Sequence, residues 1–491
     1  MSNQKLRMIL AAGLAVAPLA GQEQSEASTF KGVVRLNKAP VSAEVLRVKL
    51  PRPEELRLKN GLAVLVLEDH RIPTFSLTLE LPVSTLADPT DLHGIGSVTA
   101  TMLTLGTKKM DARTLAERLA DLGGSLNAGA GHNSIAISVS GLIDNLDELL
   151  GLLQDVLLTP TFPQDELDKW KQRQLANLQQ ARTNPGFLAN ERISKILYPN
   201  DARGTVAMSE AVIKKLTREN LVDYYESRYA PAPGGLIGVA GDVSRREIVS
   251  RLEKLLEGWK PAKIESPKIA FDGQISEKRV ILVDRPNSVQ TFLFVGNRAI
   301  SRTDPDYIAC MVMNRVLGQG PSARLFRNIR EDKGYTYGIS SLFDATKYLN
   351  DFTVNTSVRT EVTGPALEEL LKEFRDIRDR AVPADELEGA KRALVAGFAL
   401  GLESSAGLLG RAISLRHYGL PADYWDRYPE MIMKVTAAQV QQVARKYVPV
   451  DNVQIVAVGD GSKIRELLKK FGPLEEYNAD GVRVTAAGGA E

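Results

Sequence analysis

The alternation of apolar and polar positions fixes the first strands. After Asn60-Gly61 comes an apolar run, LAVLVLED (62–69). Phe75 to Leu81 (FSLTLEL) then alternates at every step, the pattern of a strand with one buried face. Asp111 is placed to cap a helix that puts Leu115, Leu119 and Leu122 on one face and stops at Gly123-Gly124. Ile135, Ile137 and Val139 alternate again. Asp144 is placed to cap a helix carrying Leu146, Leu149, Leu150, Leu153 and Leu157, and Pro163 opens a third helix that runs to Asn184-Pro185. Helices intermixed with strands of the antiparallel kind make an α+β pattern.

This pattern occurs twice. Pro163-Gln-Asp165-Glu166-Leu167 returns as Pro383-Ala-Asp385-Glu386-Leu387, and Leu216-Thr217 with Leu221 returns as Val435-Thr436 with Val440. Tyr229-Ala-Pro231 returns as Tyr447-Val-Pro449. Ile237-Gly-Val-Ala-Gly241-Asp242 returns as Ile455-Val-Ala-Val-Gly459-Asp460. The offset drifts only from 220 (Pro163 to Pro383) to 218 (Ile237 to Ile455), and the order is kept. Four matches in register point to a duplicated α+β domain. The expected boundaries are 53–262 and 278–475. Between them lies a Pro/Lys-rich linker (263–277), before them an arm (29–52), and after them a tail (476–491).

Composition narrows the function classes. At 491 residues, 44% hydrophobic and 25% charged, the chain has ample core, and a net charge of +2 points to neither nucleic acid nor a membrane surface as partner. Its one cysteine, Cys310, sits in an apolar run, which excludes an internal disulfide and a cysteine-based metal site. Residues 1–28 read as an export segment: Lys5 and Arg7 precede the apolar run Met8 to Ala20, which is too short to span a bilayer. The protein is therefore expected to be exported, to the periplasm.

The stretch with most chemistry is Gly318 to Ser340, GQGPSARLFRNIREDKGYTYGIS. A Gly/Pro loop leads into a helix-like run with Ala323, Leu325, Phe326 and Ile329, a stop at Gly334, and a strand from Tyr335. Arg330 and Tyr337 flank the helix-to-strand turn, seven residues apart. A guanidinium and a phenol brought together there can bind a carbonyl and stabilise an oxyanion. Spacing alone favours the plain reading, an exposed arginine and a half-buried strand tyrosine, and the rest of the chain changes that balance. Tyr335 competes for the role; it and Tyr337 flank Thr336 and are expected to point to opposite faces, so that only one meets a substrate.

A duplicated α+β domain with RLFRNIREDKGYTYGISS in its second half resembles the pitrilysin/insulinase-type zinc metallopeptidases, the inverzincins, which include the mitochondrial processing peptidase and bacterial relatives. First-half markers are LKNGLAVLVLED (58–69), MLTLGT (102–107), LADLGGSLNAG (119–129), FPQDELDKWKQRQLANLQQARTNP (162–185) and GVAGDV (238–243). The family's zinc motif is H-x-x-E-H on a helix just before the MLTLGT segment, with two histidine ligands and a glutamate that activates the metal-bound water. Here that slot reads Ser97-Val-Thr-Ala100-Thr101. The third ligand, a glutamate on a later helix, falls at Asn177 or Ala176. Of the four histidines, His93 lies four residues before the lost motif, and His70, His132 and His417 form no cluster readable in the sequence. No zinc and no other cofactor is expected in this chain.

The resemblance implies that an Arg/Tyr pair from a C-terminal domain completes the zinc half-site, and Arg330 and Tyr337 match it in type, spacing and context. It implies a split site in which one chain carries zinc and its partner the pair, the two bilobal chains closing like a clam shell. This sequence has the profile of the zinc-free partner, working with a homologous zinc-bearing subunit on peptides. Gly318 and Gly320 match, in place though not in length, the glycine-rich substrate loop of the processing peptidase's non-catalytic subunit. The alternative is a structural scaffold of the same fold, like the core subunits of a respiratory complex.

Overall fold

Local alternation and glycine turns build two six-stranded sheets. The computed structural model describes residues 44–199, 201–264, 267, 269 and 273–484. Residues 1–28, expected as an export segment, residues 29–43 of the expected arm, parts of the expected linker and the last seven residues of the expected tail lie outside these. The first sheet comprises β1 (Glu54–Arg57), β2 (Ala63–Glu68), β3 (Thr74–Leu81), β4 (Ser125–Ala130), β5 (Ile135–Leu142) and β6 (Leu236–Gly241), in the order β1-β2-β6-β3-β5-β4. The second comprises β7 (Arg279–Asp284), β8 (Gln290–Arg298), β9 (Thr336–Ala345), β10 (Asn350–Arg359), β11 (Gln454–Gly459) and β12 (Leu474–Tyr477), in the order β12-β7-β11-β8-β10-β9.

The duplication is visible strand by strand. β2-β6-β3-β5-β4 and β7-β11-β8-β10-β9 match in order, and in each set the first pair is parallel and the rest antiparallel. The sixth strands differ: β1 arrives from the arm and runs antiparallel to β2, whereas β12 comes from the C-terminal end and runs parallel to β7. β12 reaches Tyr477, two residues into the stretch expected as a tail. The protein thus has the expected α+β fold with two homologous domains.

Burial explains why some strands alternate and others read as unbroken apolar runs. In β3, Phe75, Leu77, Leu79 and Leu81 enter the first core while the residues between them are partly exposed. β2 is covered on both faces. Val64 and Val66 join the first core, whereas Leu65 and Leu67 meet Leu409 of the helix Ser405–Tyr418, which belongs to the second half. The exchange is reciprocal: Leu188, Ile193 and Ile196 of the first half's helix Pro185–Leu197 pack on Ile281, Val283, Val456 and Val458 of the second sheet. Each fully buried Leu or Ile contributes about 1.5–3 kcal/mol, so the exchanged helices tie the halves together with several such terms. The described part of the arm joins in: Leu50 N–H donates to Asp426 of the second half (2.9 Å).

Two local expectations need correction. No side chain caps the helix Leu146–Leu158; Asp144 lies in a 3-10 turn, Ile143–Asn145, whose Ile143 carbonyl accepts the Leu146 N–H. The run after the Gly/Pro loop is also not a plain α-helix: Phe326–Asp332 is π-helical. Its stop at Gly334 is left-handed as expected (φ 61°).

Candidate functional site

The degenerate zinc motif lies on the helix Ile95–Leu103, whose first turn is held from below. The buried carboxylate of Asp88 accepts the N–H groups of Gly94 (3.0 Å) and Gly96 (3.3 Å) and the hydroxyl of Tyr224 (2.8 Å). Burial pushes the Asp88 carboxyl up, and these three donors oppose the shift. Ser97 and Thr101 are exposed, one turn apart, and the Thr101 hydroxyl donates to the Ser97 carbonyl (2.9 Å). Ala100 points the other way and is fully buried, at 0% exposure.

Ser97 and Thr101 open onto a recess of about 360 Å³ that is also lined by His93, His132, Trp170, Gln174 and Val206. His93 and His132, which the sequence leaves far apart, share it. Burial lowers the His132 pKa and neighbouring His93 adds to the shift, so both favour the neutral imidazole. Asn177 is exposed and does not line this recess; Gln174, one turn earlier on the helix Gln164–Arg182, does. Zinc is bound by thiolate, imidazole and carboxylate groups; the recess offers the two imidazoles of His93 and His132, with hydroxyls and an amide in place of further donors of that kind. Among the described residues no group of three or more such side chains is placed to hold a metal.

Arg330 and Tyr337 are brought together. The π-helical turn is anchored to its surroundings on three sides. Arg324 makes a bidentate pair with Glu386 (2.8 and 2.7 Å), Asn328 donates to Glu369 (3.0 Å) and Glu373 (2.7 Å), and Ile329 is buried in the second core. The Arg330 guanidinium carbon then lies 4.6 Å from the Phe326 ring centroid and 5.6 Å from that of Tyr337. π-helical turns recur at functional sites, and this one fixes the arginine between two rings.

Alternation does not separate Tyr335 from Tyr337, because residues two apart in a regular strand share a face; the expectation of opposite faces had the wrong physical basis. A β-bulge does the work. Ile339 pairs with Thr356 and Thr336 with Val358, so Tyr337 and Gly338 together oppose Ser357. Bulges re-aim side chains. Thr336 Oγ1 accepts the Gly338 N–H (3.1 Å) and lies 2.7 Å from the Ser357 carbonyl, which locks the bulge. Tyr335 packs against the second core, and Tyr337 stands 91% exposed. Neither the Arg330 guanidinium nor the Tyr337 hydroxyl has a hydrogen bond or ion pair among the described residues. The recess around Ser97 contains neither of them.

The glycine loop has a packing reason. A Cβ on Gly318 would lie 2.3 Å from Ser341 Oγ, and the Gly318 carbonyl accepts the Ser341 N–H (3.1 Å) on β9. Gly320 has φ 100°, and a Cβ there would meet the Arg315 guanidinium at 2.6 Å. The loop is thus fitted against β9 and the helix Tyr307–Leu317.

Residues 63–209 match the family model of the insulinase peptidases, family M16, and residues 215–394 match the model of the M16 peptidase inactive domain. The chain belongs to the M16 peptidase family. It is 24% identical over 403 residues to the non-peptidase homologue YmxG of Helicobacter pylori, covering 81% of this chain and 91% of that one. It is 21% identical to cytochrome b-c1 complex subunit 2 of Rattus norvegicus, over 86% of this chain and 94% of that one. The solved structure of a peptidase M16 inactive domain from Pseudomonas fluorescens superposes with a TM-score of 0.74 at 28% identity, over 83% of this chain and 98% of that one. Among the described residues no single helix is long and apolar enough to cross a membrane.

Proposed function

We propose that this chain is the zinc-free subunit of a two-chain zinc metallopeptidase. It supplies Arg330 and Tyr337 in trans, as carbonyl-binding and oxyanion-stabilising donors, to a homologous zinc-bearing partner that hydrolyses peptides. The observation that carries the reading is the pair itself: a guanidinium and a phenol side by side, held by a π-helical turn and a bulge, with their donors free. Oxyanion donors act by position and need not share a chain with the metal. The donor set at Ser97, Ala100 and Thr101 supports assigning the zinc to the partner. The apolar run near the N-terminus supports export, with the periplasm as the working compartment.

A second reading has a specific observation behind it, the similarity to cytochrome b-c1 complex subunit 2 over most of both chains. On that reading the protein is a scaffold of the same fold and its Arg/Tyr pair is idle. A test of the zinc-free assignment is elemental analysis of the purified chain with a quenched-peptide assay. The expected result is no stoichiometric zinc and no cleavage by the chain alone; one tightly held zinc per chain would overturn it.

A further inference from the structure

The seam between the halves contains a carboxylate pair that neither the proposed catalysis nor the core uses. Asp344 on β9 and Asp351 on β10 are directly opposed in the antiparallel register, so both side chains stand on one face of the sheet. That face meets the first half. Tyr198, at the end of the helix Pro185–Leu197, donates its hydroxyl to Asp351 (2.9 Å) and accepts the Asn350 N–H (3.2 Å). Arg203 donates to the Tyr348 carbonyl (3.0 Å) from the same side. Asp344 and Asp351 both line a recess of about 330 Å³ with Tyr198, Arg203, Leu342 and His132. His132 and Val206 border this recess and also the one around Ser97, so the two adjoin.

Among the described residues no lysine or arginine forms an ion pair with Asp344 or Asp351, and Tyr418, which faces Asp344, brings no positive charge. Arg203 is engaged by Asp201. Arg298, across β8 from Asp351, donates to the Leu197 carbonyl (2.5 Å) and through a second nitrogen toward the Gly273 carbonyl (3.4 Å). Lys347, on the turn between β9 and β10, lies over the Tyr348 ring (5.3 Å). Burial and His93 both disfavour a charge on His132.

We propose that Asp344 and Asp351 form a proton-operated latch between the two halves. With a proton on the pair, Tyr198 stays docked on β10; when that proton leaves to solvent, two carboxylates face each other and the seam beside the Ser97 recess loosens. Burial raises Asp351 to about 7, the Asp344 charge adds to the rise, and the Tyr198 hydrogen bond opposes it. Burial raises Asp344 as well. The sign follows from linkage: an acid whose pKa is raised on folding stabilises fully below its unfolded value of about 4, and that stabilisation is lost as pH rises through the folded value. The window is therefore from about pH 4 to about pH 7. The latch does not require the chain to take part in catalysis.

The test uses the full-length chain without a partner. Thermal unfolding across about pH 4 to 9 should show a midpoint that falls from about pH 4 and levels off at an inflection near pH 7, a fall that Asp351→Asn abolishes. Asp344→Asn should move that inflection to lower pH, because it removes the opposing charge. Hydrogen exchange in the helix Pro185–Leu197, corrected for intrinsic rates, should rise above the inflection in the wild type and not in Asp351→Asn. A wild-type pH profile retained by Asp351→Asn would overturn the latch. If that variant does not fold, an inflection unmoved by Asp344→Asn would overturn it equally.

Discussion

Replacing Tyr337 by phenylalanine is expected to lower peptide turnover, in a heterodimer with a zinc-bearing partner, by about 10²–10³, roughly 3–4 kcal/mol. The loss is expected although the proposed site has its zinc in the other chain, because there the phenol would donate where negative charge develops. Arg330→Ala should lose a similar amount and also raise the Michaelis constant, since a guanidinium that holds the ground-state carbonyl contributes to binding as well. Tyr335→Phe is the internal control: Tyr335 packs on the second core, two residues and one bulge away, and its hydroxyl should not matter. Heterodimer assembly is measured first, by size exclusion, so that a folding defect is not read as a catalytic one. Wild-type turnover in both assembled variants would give the scaffold reading the lead.

The second large effect concerns the vanished zinc motif. Ala100→Glu, which restores the residue type of the family's water-activating base, is expected to destabilise the chain by roughly 3–5 kcal/mol in urea unfolding. Ala100 is fully buried, so the longer side chain must displace packed neighbours and bring an unpaired carboxylate with it. Ser97→His and Thr101→His sit at exposed positions and should each change stability by no more than about 0.5–1 kcal/mol. The site has therefore lost its ligands on the open face and the space for its base on the closed one. An unfolding midpoint unchanged by Ala100→Glu would show that a pocket for the base persists.

The fold was legible in the sequence wherever one face of an element decides its pattern. β3 alternates because one face is buried, and the second copy of the Gly-Asp turn at Gly459-Asp460 marked the duplication. The reciprocal exchange of helices was not legible. The apolar run of β2 shows that both faces are covered, but nothing in it says that Leu409, more than three hundred residues on, covers one of them. At the candidate site, the resemblance together with residue types and spacing singled out Arg330 and Tyr337, which the structure brings together. The bulge that re-aims Tyr337 depends on a one-residue mismatch with β10, which no local periodicity records. Phe326 could have been found, four residues before Arg330 on the same turn. The meeting of His93 with His132, and the lining of the recess by Gln174 rather than Asn177, depend on how separate loops and a helix converge.

The proposed split site requires residues from two chains for catalysis, and mixing the chains tests this. The purified chain and a homologous chain that carries H-x-x-E-H with its downstream glutamate are assayed on a quenched peptide separately and together. The account predicts near-background cleavage by either chain alone. The mixture should be active in proportion to heterodimer formed, sensitive to chelation, and contain one zinc per heterodimer. A mixture that cleaves no faster than the zinc-bearing chain alone, although the heterodimer forms, would contradict it.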